Sequence, residues 1–276
     1  MTTSTTVART TDAHATTTAH GSIPRAAVVV SLAMLLSAAA CGGAAPSDPA
    51  ASPSQAAAPS PTVAPSVAAP SAGINGFLPV GPFTIVDEGA PNSPLRTTVT
   101  IPSSGWTSYP DFGGLGKGED ADPPEAAMLL WSWPAGTRFD VYGDPCKWAS
   151  TRPDKPATTV EEFVTALAAQ ASRDASAPVD VTVGGYTGKM ITLHVPNDAP
   201  TRAEAFKDCD QDTFASYGEA GRSEPNRFQQ GPGQVDELWV LDVGGATVII
   251  DAMYRPSTPA GFIDEMRAIA ESATFE

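Results

Sequence analysis

The first stretch of this chain that could do chemistry is rich in glycine: GGLGKG, residues 113–118. A phosphate-binding loop needs a glycine five residues before Gly116 and a serine or threonine directly after Lys117. Asp111 and Gly118 occupy those two positions. The spacing therefore argues against a phosphate site, and we expect a flexible loop here.

A second stretch, DCDQDTFASYGE at residues 208–219, carries carboxylates at its first, third, fifth and twelfth positions. That spacing is typical of the oxygen ligands of a calcium loop. Thr213 stands where such a loop needs glycine for its sharp turn, and Cys209 interrupts the ligand series. We therefore predict no metal site and no cofactor.

Nucleophilic catalysis lacks its usual residues in this sequence. There is no G-x-S-x-G motif, and His194 is the one histidine within residues 73–276. A single histidine on a predicted strand is more often structural than catalytic, and a triad needs a nucleophile, a base and an orienting group. Paired carboxylates stay open as an alternative, because acidic residues are plentiful and the sequence does not fix their separations.

Four tryptophans are candidates for an apolar ligand pocket. Trp131 and Trp133 share one face of a predicted strand with Leu129, Trp148 follows the cysteine of YGDPCKW, and Trp239 lies in a predicted hairpin. Aromatic side chains line many ligand pockets, but they also fill hydrophobic cores. The sequence leaves both roles open for these four side chains.

Cys41 directly follows an uncharged apolar segment, residues 26–40. This segment is shorter than the roughly 20 residues that a bilayer span needs, and it suits the apolar region of an export signal. Ala39, Ala40 and Cys41 resemble the lipobox of bacterial lipoproteins, whose cysteine is lipidated and becomes the new N-terminus. Ala38 stands where leucine is commonest, so ordinary cleavage after Ala40 and an uncleaved anchor stay open as alternatives.

The segment after Cys41 has the composition of a tether. Residues 44–72 contain seven prolines and no large apolar side chain beyond two valines, so they cannot bury a core. We divide the chain into a lipoprotein signal peptide (1–40), an Ala/Pro/Ser-rich disordered tether (41–72) and one folded domain (73–276). This layout predicts a protein held at the outer face of the cytoplasmic membrane by lipid on Cys41.

Cys146 and Cys209 are the two cysteines that remain if Cys41 is lipidated. Export places them in an oxidising compartment, where cysteine pairs form disulfides. We predict a bond between them. Two free thiols or a metal site are the alternatives, and one nearby histidine makes a poor zinc set.

The net charge of the chain restricts the classes of partner that it can bind. The formal net charge is -15 at pH 7, and such a surface repels phosphate backbones and anionic lipid headgroups. We therefore expect no nucleic-acid partner.

The folded module mixes strand and helix patterns. We predict strands over 97–102, 127–134 and 138–142, a helix over 158–173, hairpins over 178–196 and 237–254 that turn at Gly-Gly pairs, and a final helix over 258–275. Thr158 and Glu161 form a predicted capping box, and Thr258 is the predicted cap of the last helix. Hairpins indicate an antiparallel sheet with helices packed on it, an α+β sandwich.

Four stretches between residues 140 and 276 resemble a group of actinobacterial secreted lipoproteins: VYGDPCKW, PVDVTVGGYTGK, QGPGQVDELWVLDVGGATVIIDA and EMRAIAESATFE. The last hairpin and the helix ending in ES-x-x-F also resemble the PsbP-like sandwich class. The members of these groups are mostly non-enzymatic, so the resemblance implies no catalytic residues. We expect a non-catalytic module that binds an envelope ligand or protein, with a carboxylate-based envelope hydrolase as the alternative.

Overall fold

The computed structural model describes residues 76–85, 94–118 and 125–276. Cys41, the export segment and the predicted tether lie outside these residues. The described strands are β1 (Gly81–Thr84), β2 (Thr97–Ile101), β3 (Trp106–Tyr109), β4 (Gly114–Lys117), β5 (Ala126–Trp133), β6 (Phe139–Val141), β7 (Val179–Val183), β8 (Tyr186–His194), β9 (Ala215–Glu219), β10 (Arg227–Phe228), β11 (Val235–Val243), β12 (Ala246–Tyr254) and β13 (Thr274–Phe275). The described helices are α1 (Val160–Ala168), α2 (Arg202–Phe206) and α3 (Ala260–Glu271).

The largest sheet has seven strands in the order β3-β4-β5-β12-β11-β8-β7, all paired antiparallel. Its two predicted hairpins turn at Gly184-Gly185 and Gly244-Gly245. All four glycines have positive φ, between 59° and 91°, which a two-residue hairpin turn of this kind requires. The predicted α+β architecture with an antiparallel sheet is confirmed.

Helices cover both faces of this sheet. Helix α3 packs on β5, β12 and β2, over a core that includes Met128, Ile250 and Met266. Helix α1 packs on β8, β11 and β6, over a second cluster that includes Phe163 and Ile249. Because successive residues of a strand point to opposite faces, one strand supplies both cores.

The first helix is shorter than predicted, and its cap lies one residue later. Thr159 is the N-cap, because its hydroxyl accepts a hydrogen bond from the backbone N–H of Glu162. The Glu162 carboxylate in turn accepts hydrogen bonds from the N–H and hydroxyl of Thr158. The chain leaves the helix before Ser172, whose φ is 61°, a conformation that a right-handed helix cannot contain.

Thr258 does not cap the last helix as predicted. The N-cap of α3 is Pro259, while the Thr258 hydroxyl donates to the carbonyl of Glu125 at 2.5 Å. That bond ties the entry to the helix to the start of β5. The helix buries an apolar stripe, with Met266 and Ile269 fully buried.

The glycine-rich stretch 113–118 is not a flexible loop, which corrects the sequence prediction. It contains β4, which pairs with β3 on one side and β5 on the other. A Cβ atom on Gly116 would lie 2.5 Å from Cε2 of Tyr109, so only glycine lets that ring lie on the strand. Glycine disfavours strands intrinsically, but pairing with two neighbours overrides that preference.

The chain turns between β5 and β6, where the N–H of Thr137 donates to the carbonyl of Pro134 at 3.1 Å. The two strands do not pair with each other, because β6 belongs to a separate sheet with β9 and β10. Within the described ranges, no helix is long and apolar enough to cross a bilayer.

Candidate functional site

An apolar cavity of about 470 Å³ opens on the sheet face that also carries α1. That volume falls within the range of small-molecule sites. Strand β5 supplies one wall through alternate side chains, and β3, β4, β10 and β12 supply the others. The lining residues are Tyr109, Phe112, Leu115, Glu125, Ala127, Met128, Leu129, Trp131, Asn226, Arg227, Phe228, Gln230, Gln234, Met253, Tyr254 and Arg255.

The register of three neighbouring strands explains why space remains here. Gly116 on β4 lies opposite Ala127 on β5, which lies opposite Met253 on β12. Residues opposite each other on adjacent strands share a face. Glycine and alanine fill little of that face, so the bulkier neighbours enclose a space instead of meeting across it.

Aromatic side chains surround the small residues Gly116 and Ala127, which form the floor of the cavity. The ring of Tyr109 lies over Gly116, and the indole N–H of Trp131 donates to the carbonyl of Phe112 at 2.7 Å. Phe112 and Phe228 line the cavity while 63% and 41% exposed. Exposed apolar patches of this kind are typical of interaction sites.

A buried charge network lies beside the cavity, which its members Arg227 and Gln234 line. The Asp236 carboxylate accepts hydrogen bonds from Arg173 Nη2 at 2.6 Å, from Arg227 Nη2 at 2.9 Å and from Gln234 Nε2 at 2.5 Å. Arg227 Nε also donates to Asp251 Oδ2 at 2.5 Å. Two guanidinium groups therefore face two carboxylates, and together they carry no net charge.

Burial sets the electrostatics of this network. Burial raises the pKa of Asp251 to about 6, although the guanidinium of Arg227 opposes that change. Burial alone would also raise the pKa of Asp236. The guanidinium groups of Arg227 and Arg173 outweigh burial, so the pKa of that carboxyl is below its ordinary value. Asp251 Oδ1, Arg173 Nε and the Tyr217 hydroxyl have no hydrogen-bond partner among the described residues. Such atoms make the network sensitive to any change in charge.

Sequence reasoning did not single out this network. Its signal is the presence of Asp236 and Asp251 inside strands that are otherwise mainly apolar, since aspartate is almost never fully buried without a partner. The identity of the partners is not encoded nearby. Arg173 comes from the segment after α1, and Arg227 comes from a two-residue strand.

The structure does not gather the four candidate tryptophans into one pocket. Trp131 lines the cavity, and Trp133 shares its strand face and packs edge-on against it at 5.9 Å between ring centroids. Trp148 and Trp239 are buried, at 2% and 5% exposure. The pocket prediction is therefore corrected for Trp148 and Trp239, which pack in two different core clusters.

The predicted disulfide is present between Cys146 and Cys209. The acidic stretch beside it stabilises the same region, since the Asp210 carboxylate accepts from the N–H of Ala149 and the Asp210 carbonyl accepts from the indole of Trp148. Among the residues that the structure describes, no three His, Cys, Asp or Glu side chains are placed to hold a metal ion.

A polar groove of about 350 Å³ lies near the start of α1, with three carboxylates among its lining residues. Lys189 contacts two of them, Glu161 at 3.1 Å and Asp180 at 2.9 Å. These two carboxylates are 70% and 88% exposed. A general acid must hold its proton near neutral pH, which a buried apolar environment provides and an exposed ion pair does not.

Ser103 and Lys117 resemble a nucleophile and its base by distance alone, at 2.7 Å. However, Lys117 Nζ also pairs with Glu265 at 2.6 Å and lies 4.7 Å from the ring centroid of Phe262. Burial raises the pKa of Glu265, but hydrogen bonds from Lys117, Trp106 and Ser103 outweigh it and lower that pKa. This cluster fastens α3 to the sheet.

His194 lies at the end of β8, half-buried, opposite Val235 of β11. Its backbone N–H donates to the carbonyl of Arg173 at 2.7 Å. That bond joins the strand to the segment that carries the buried guanidinium. The position matches the structural role that the sequence favours for this histidine.

No protein-family model matches this chain, and no curated protein matches it. Several solved structures are similar to it, among them the following two. The solution structure of the cyanobacterial PsbP protein CyanoP from Synechocystis sp. PCC 6803 is 10% identical, with a TM-score of 0.34, and the match covers 77% of this chain and 100% of that one. The crystal structure of LpqN, involved in cell envelope biogenesis in Mycobacterium tuberculosis, is 13% identical, with a TM-score of 0.34, covering 73% of this chain and 92% of that one. A PsbP protein is thus among the solved structures that this chain resembles.

Proposed function

We propose that this protein is a lipid-anchored extracytoplasmic module that binds a small apolar ligand without transforming it. The observation that carries the proposal is the apolar cavity beside β5, with the exposed rings of Phe112 and Phe228 at its edge. A lipid on Cys41 would hold the module at the outer face of the cytoplasmic membrane. In a polyproline II conformation, the 29 residues 44–72 of the tether would let it reach roughly 90 Å from that anchor.

The polar side chains around the cavity support binding over catalysis. Arg227 is already held by two carboxylates. The hydroxyl of Tyr254 donates to the Glu237 carboxylate at 2.7 Å. Burial is the main cause and this hydrogen bond the second cause that raise the pKa of Tyr254 to about 12. The tyrosine therefore keeps its proton at neutral pH and cannot act as a base. Of the described residues that line the cavity, Glu125 is the one carboxylate.

The alternative of a carboxylate-based hydrolase lacks a matching pair at this site. Hydrolysis of a glycosidic bond needs two carboxyl groups across a substrate groove, one of them holding a proton. Asp236 and Asp251 lie close together but are at most 1% exposed and bound to Arg227. Neither carboxylate lines the cavity, so the geometry favours the binding module.

Binding of an environment-sensitive naphthalene dye tests the proposal. Purified residues 73–276 should enhance the fluorescence of the dye with saturation, and Ala127→Trp should abolish that enhancement because the indole fills the floor between Gly116 and Met253. Ala260→Trp is the matched control, because Ala260 is exposed at the start of α3. Equal dye binding by both variants, with unchanged unfolding midpoints, would overturn the assignment of the cavity as the binding site.

A further inference from the structure

We propose that the ligand is an amphiphile with an anionic headgroup, and that Arg255 pairs with this headgroup at the edge of the cavity. This inference rests on the proposed function and specifies the chemical class of its ligand. The apolar wall of Leu129, Trp131 and Met253 would hold the alkyl chain.

Arg255 differs from the other arginine of the cavity in its partners. Arg227 is almost fully buried and bonded to Asp236, Asp251 and the carbonyl of Phe228. Arg255 is half-buried, lines the cavity, and forms no ion pair or side-chain hydrogen bond with any residue in the described ranges. An arginine beside an apolar surface, with its five donors free, suits a carboxylate or phosphate.

The guanidinium of Arg255 lies against a residue that has no side chain. Its Nη2 atom lies 3.4 Å from the position that a Cβ on Gly231 would occupy, so the guanidinium lies over a glycine. The loop that contains Gly231 is held to the buried network, because the side chains of Gln229 and Gln234 both donate to the Asp236 carboxylate. The buried network thus holds the loop against which the Arg255 guanidinium lies.

Local charges decide whether an anion is attracted. The net charge of -15 disfavours anions at long range, but screening limits that field to about 8 Å at physiological salt. Close to the cavity, the guanidinium carbon of Arg202 lies 5.8 Å from the ring centroid of Phe228. Among the described residues that line the cavity, Glu125 carries the opposing charge.

The test compares amphiphiles that share a dodecyl chain, titrated calorimetrically into residues 73–276. Dodecanoate and dodecyl phosphate supply two anionic headgroups, dodecanol is neutral, and dodecylammonium is cationic. We expect both anions to bind about tenfold more tightly than dodecanol, because a charge-assisted hydrogen bond contributes at this scale. Inorganic phosphate alone should show no heat, since the alkyl chain supplies much of the affinity.

Two further variants test the headgroup contact, one that removes a positive charge and one that removes a negative charge. Arg255→Gln should remove the tenfold preference for anions and leave dodecanol binding unchanged, whereas Glu125→Gln should strengthen binding of anions a few-fold. Arg138→Gln is the matched control, because Arg138 is exposed and lies outside the cavity lining.

Each outcome decides between the two proposals. If dodecanol binds as tightly as dodecanoate, the headgroup inference is overturned while the apolar site stands. If no dodecyl compound binds, both proposals fail. An equal loss of all four ligands in Arg255→Gln would show a structural role and would also overturn the headgroup contact.

Discussion

Arg227 Nε donates to Asp251 Oδ2 at 2.5 Å, and the two side chains are 2% and 0% exposed. This contact joins the two-residue strand β10 to β12 in the centre of the large sheet. Because Arg227 and Phe228 also line the apolar cavity, the cavity wall is held in place by a buried ion pair. The position of the wall should therefore respond to changes in that pair.

Asp236→Asn should strongly destabilise the protein. The variant leaves the buried guanidinium groups of Arg173 and Arg227 with one carboxylate, that of Asp251, between them. Removing one partner from a buried network typically costs about 3–5 kcal/mol. Urea denaturation followed by tryptophan fluorescence measures this as a lower unfolding midpoint.

The control for this charge change is Asp180→Asn. Asp180 also pairs with a cation, Lys189, but its side chain is 88% exposed, and exposed ion pairs contribute little. Its midpoint should stay close to that of the unmodified protein. A similar loss in both variants would contradict a special role for the buried network.

Stability should depend on pH through Asp251. Its pKa is about 6 in the folded protein against about 3.9 in an unfolded chain. Between these values the folded state holds a proton that the unfolded state has released, so the free energy of unfolding falls as the pH rises. This contribution is fully present below about pH 4 and is lost as the pH rises through about 6.

Asp251→Asn removes that titration. Across this pH range, the free energy of unfolding of the unmodified protein should fall relative to the variant by about 3 kcal/mol. Urea titrations at several pH values supply the comparison, and the titration of Asp236 is present in both proteins. A difference between the two proteins that stays constant with pH would contradict the raised pKa of Asp251.

Much of the fold follows from local patterns. The Gly-Gly pairs at 184–185 and 244–245 specify their hairpins, because few other residues accept positive φ at both positions. The stripe of Met266, Ile269 and Ala270 specifies the buried face of α3. Strand order and the pairing of β6 with β9 instead depend on contacts far apart in the sequence, which local patterns do not contain.

The cavity could not be predicted from local sequence patterns, because it also depends on contacts between distant residues. GGLGKG reads as a loop, because two glycines in a four-residue strand contradict strand propensity. The strand register, which brings Gly116 beside Ala127, is needed to see that these small residues leave space unfilled on this face of the sheet. Trp131 belongs to that site, while Trp239 has the same pattern in sequence but lies in the core on the other face.

Gly116→Ala should move the ring of Tyr109. The new methyl group would lie within 3 Å of three side-chain atoms of Tyr109, and overpacking of this kind costs about 1–3 kcal/mol. In a Tyr109→Ala background the same change should cost much less, because the ring is gone. A double-mutant cycle of unfolding free energies measures this coupling.

The matched glycine for that cycle is Gly261, in the first turn of α3. A Cβ there meets nothing within 4 Å, and alanine favours helices over glycine. Gly261→Ala should therefore leave stability unchanged or raise it slightly. If Gly116→Ala costs equally with and without the Tyr109 ring, the close approach of that ring is not the cause.

Loss of the disulfide should lower stability without disturbing the sheet. Cys146 and Cys209 are 63 residues apart, and a crosslink of that length contributes about 4 kcal/mol in the chain-entropy model. The double variant Cys146→Ser/Cys209→Ser should lose about that much in urea denaturation. Reducing agent should destabilise the unmodified protein and have no effect on the double variant, whereas equal midpoints under both conditions would contradict the expectation.

Cys41→Ala should release the protein from the membrane. Lipid on this cysteine is the proposed anchor, and a diacylated N-terminus supplies enough buried methylene groups for stable attachment. In cell fractions, the unmodified protein should partition into a detergent phase and the variant into the aqueous phase or the medium. Cys146→Ser is the control, since it changes a cysteine of the folded module and should not alter partitioning.

Intact mass separates this proposal from its two alternatives. Lipidation predicts a chain that begins at Cys41 with added acyl mass, since the export segment is removed. Ordinary cleavage after Ala40 predicts the same chain with an unmodified thiol, and Cys41→Ala would then leave partitioning unchanged. An uncleaved anchor predicts residues 1–40 still attached and membrane retention in the variant as well. Only the first pattern is compatible with a module tethered by lipid, because only there does the thiol itself determine the location of the protein.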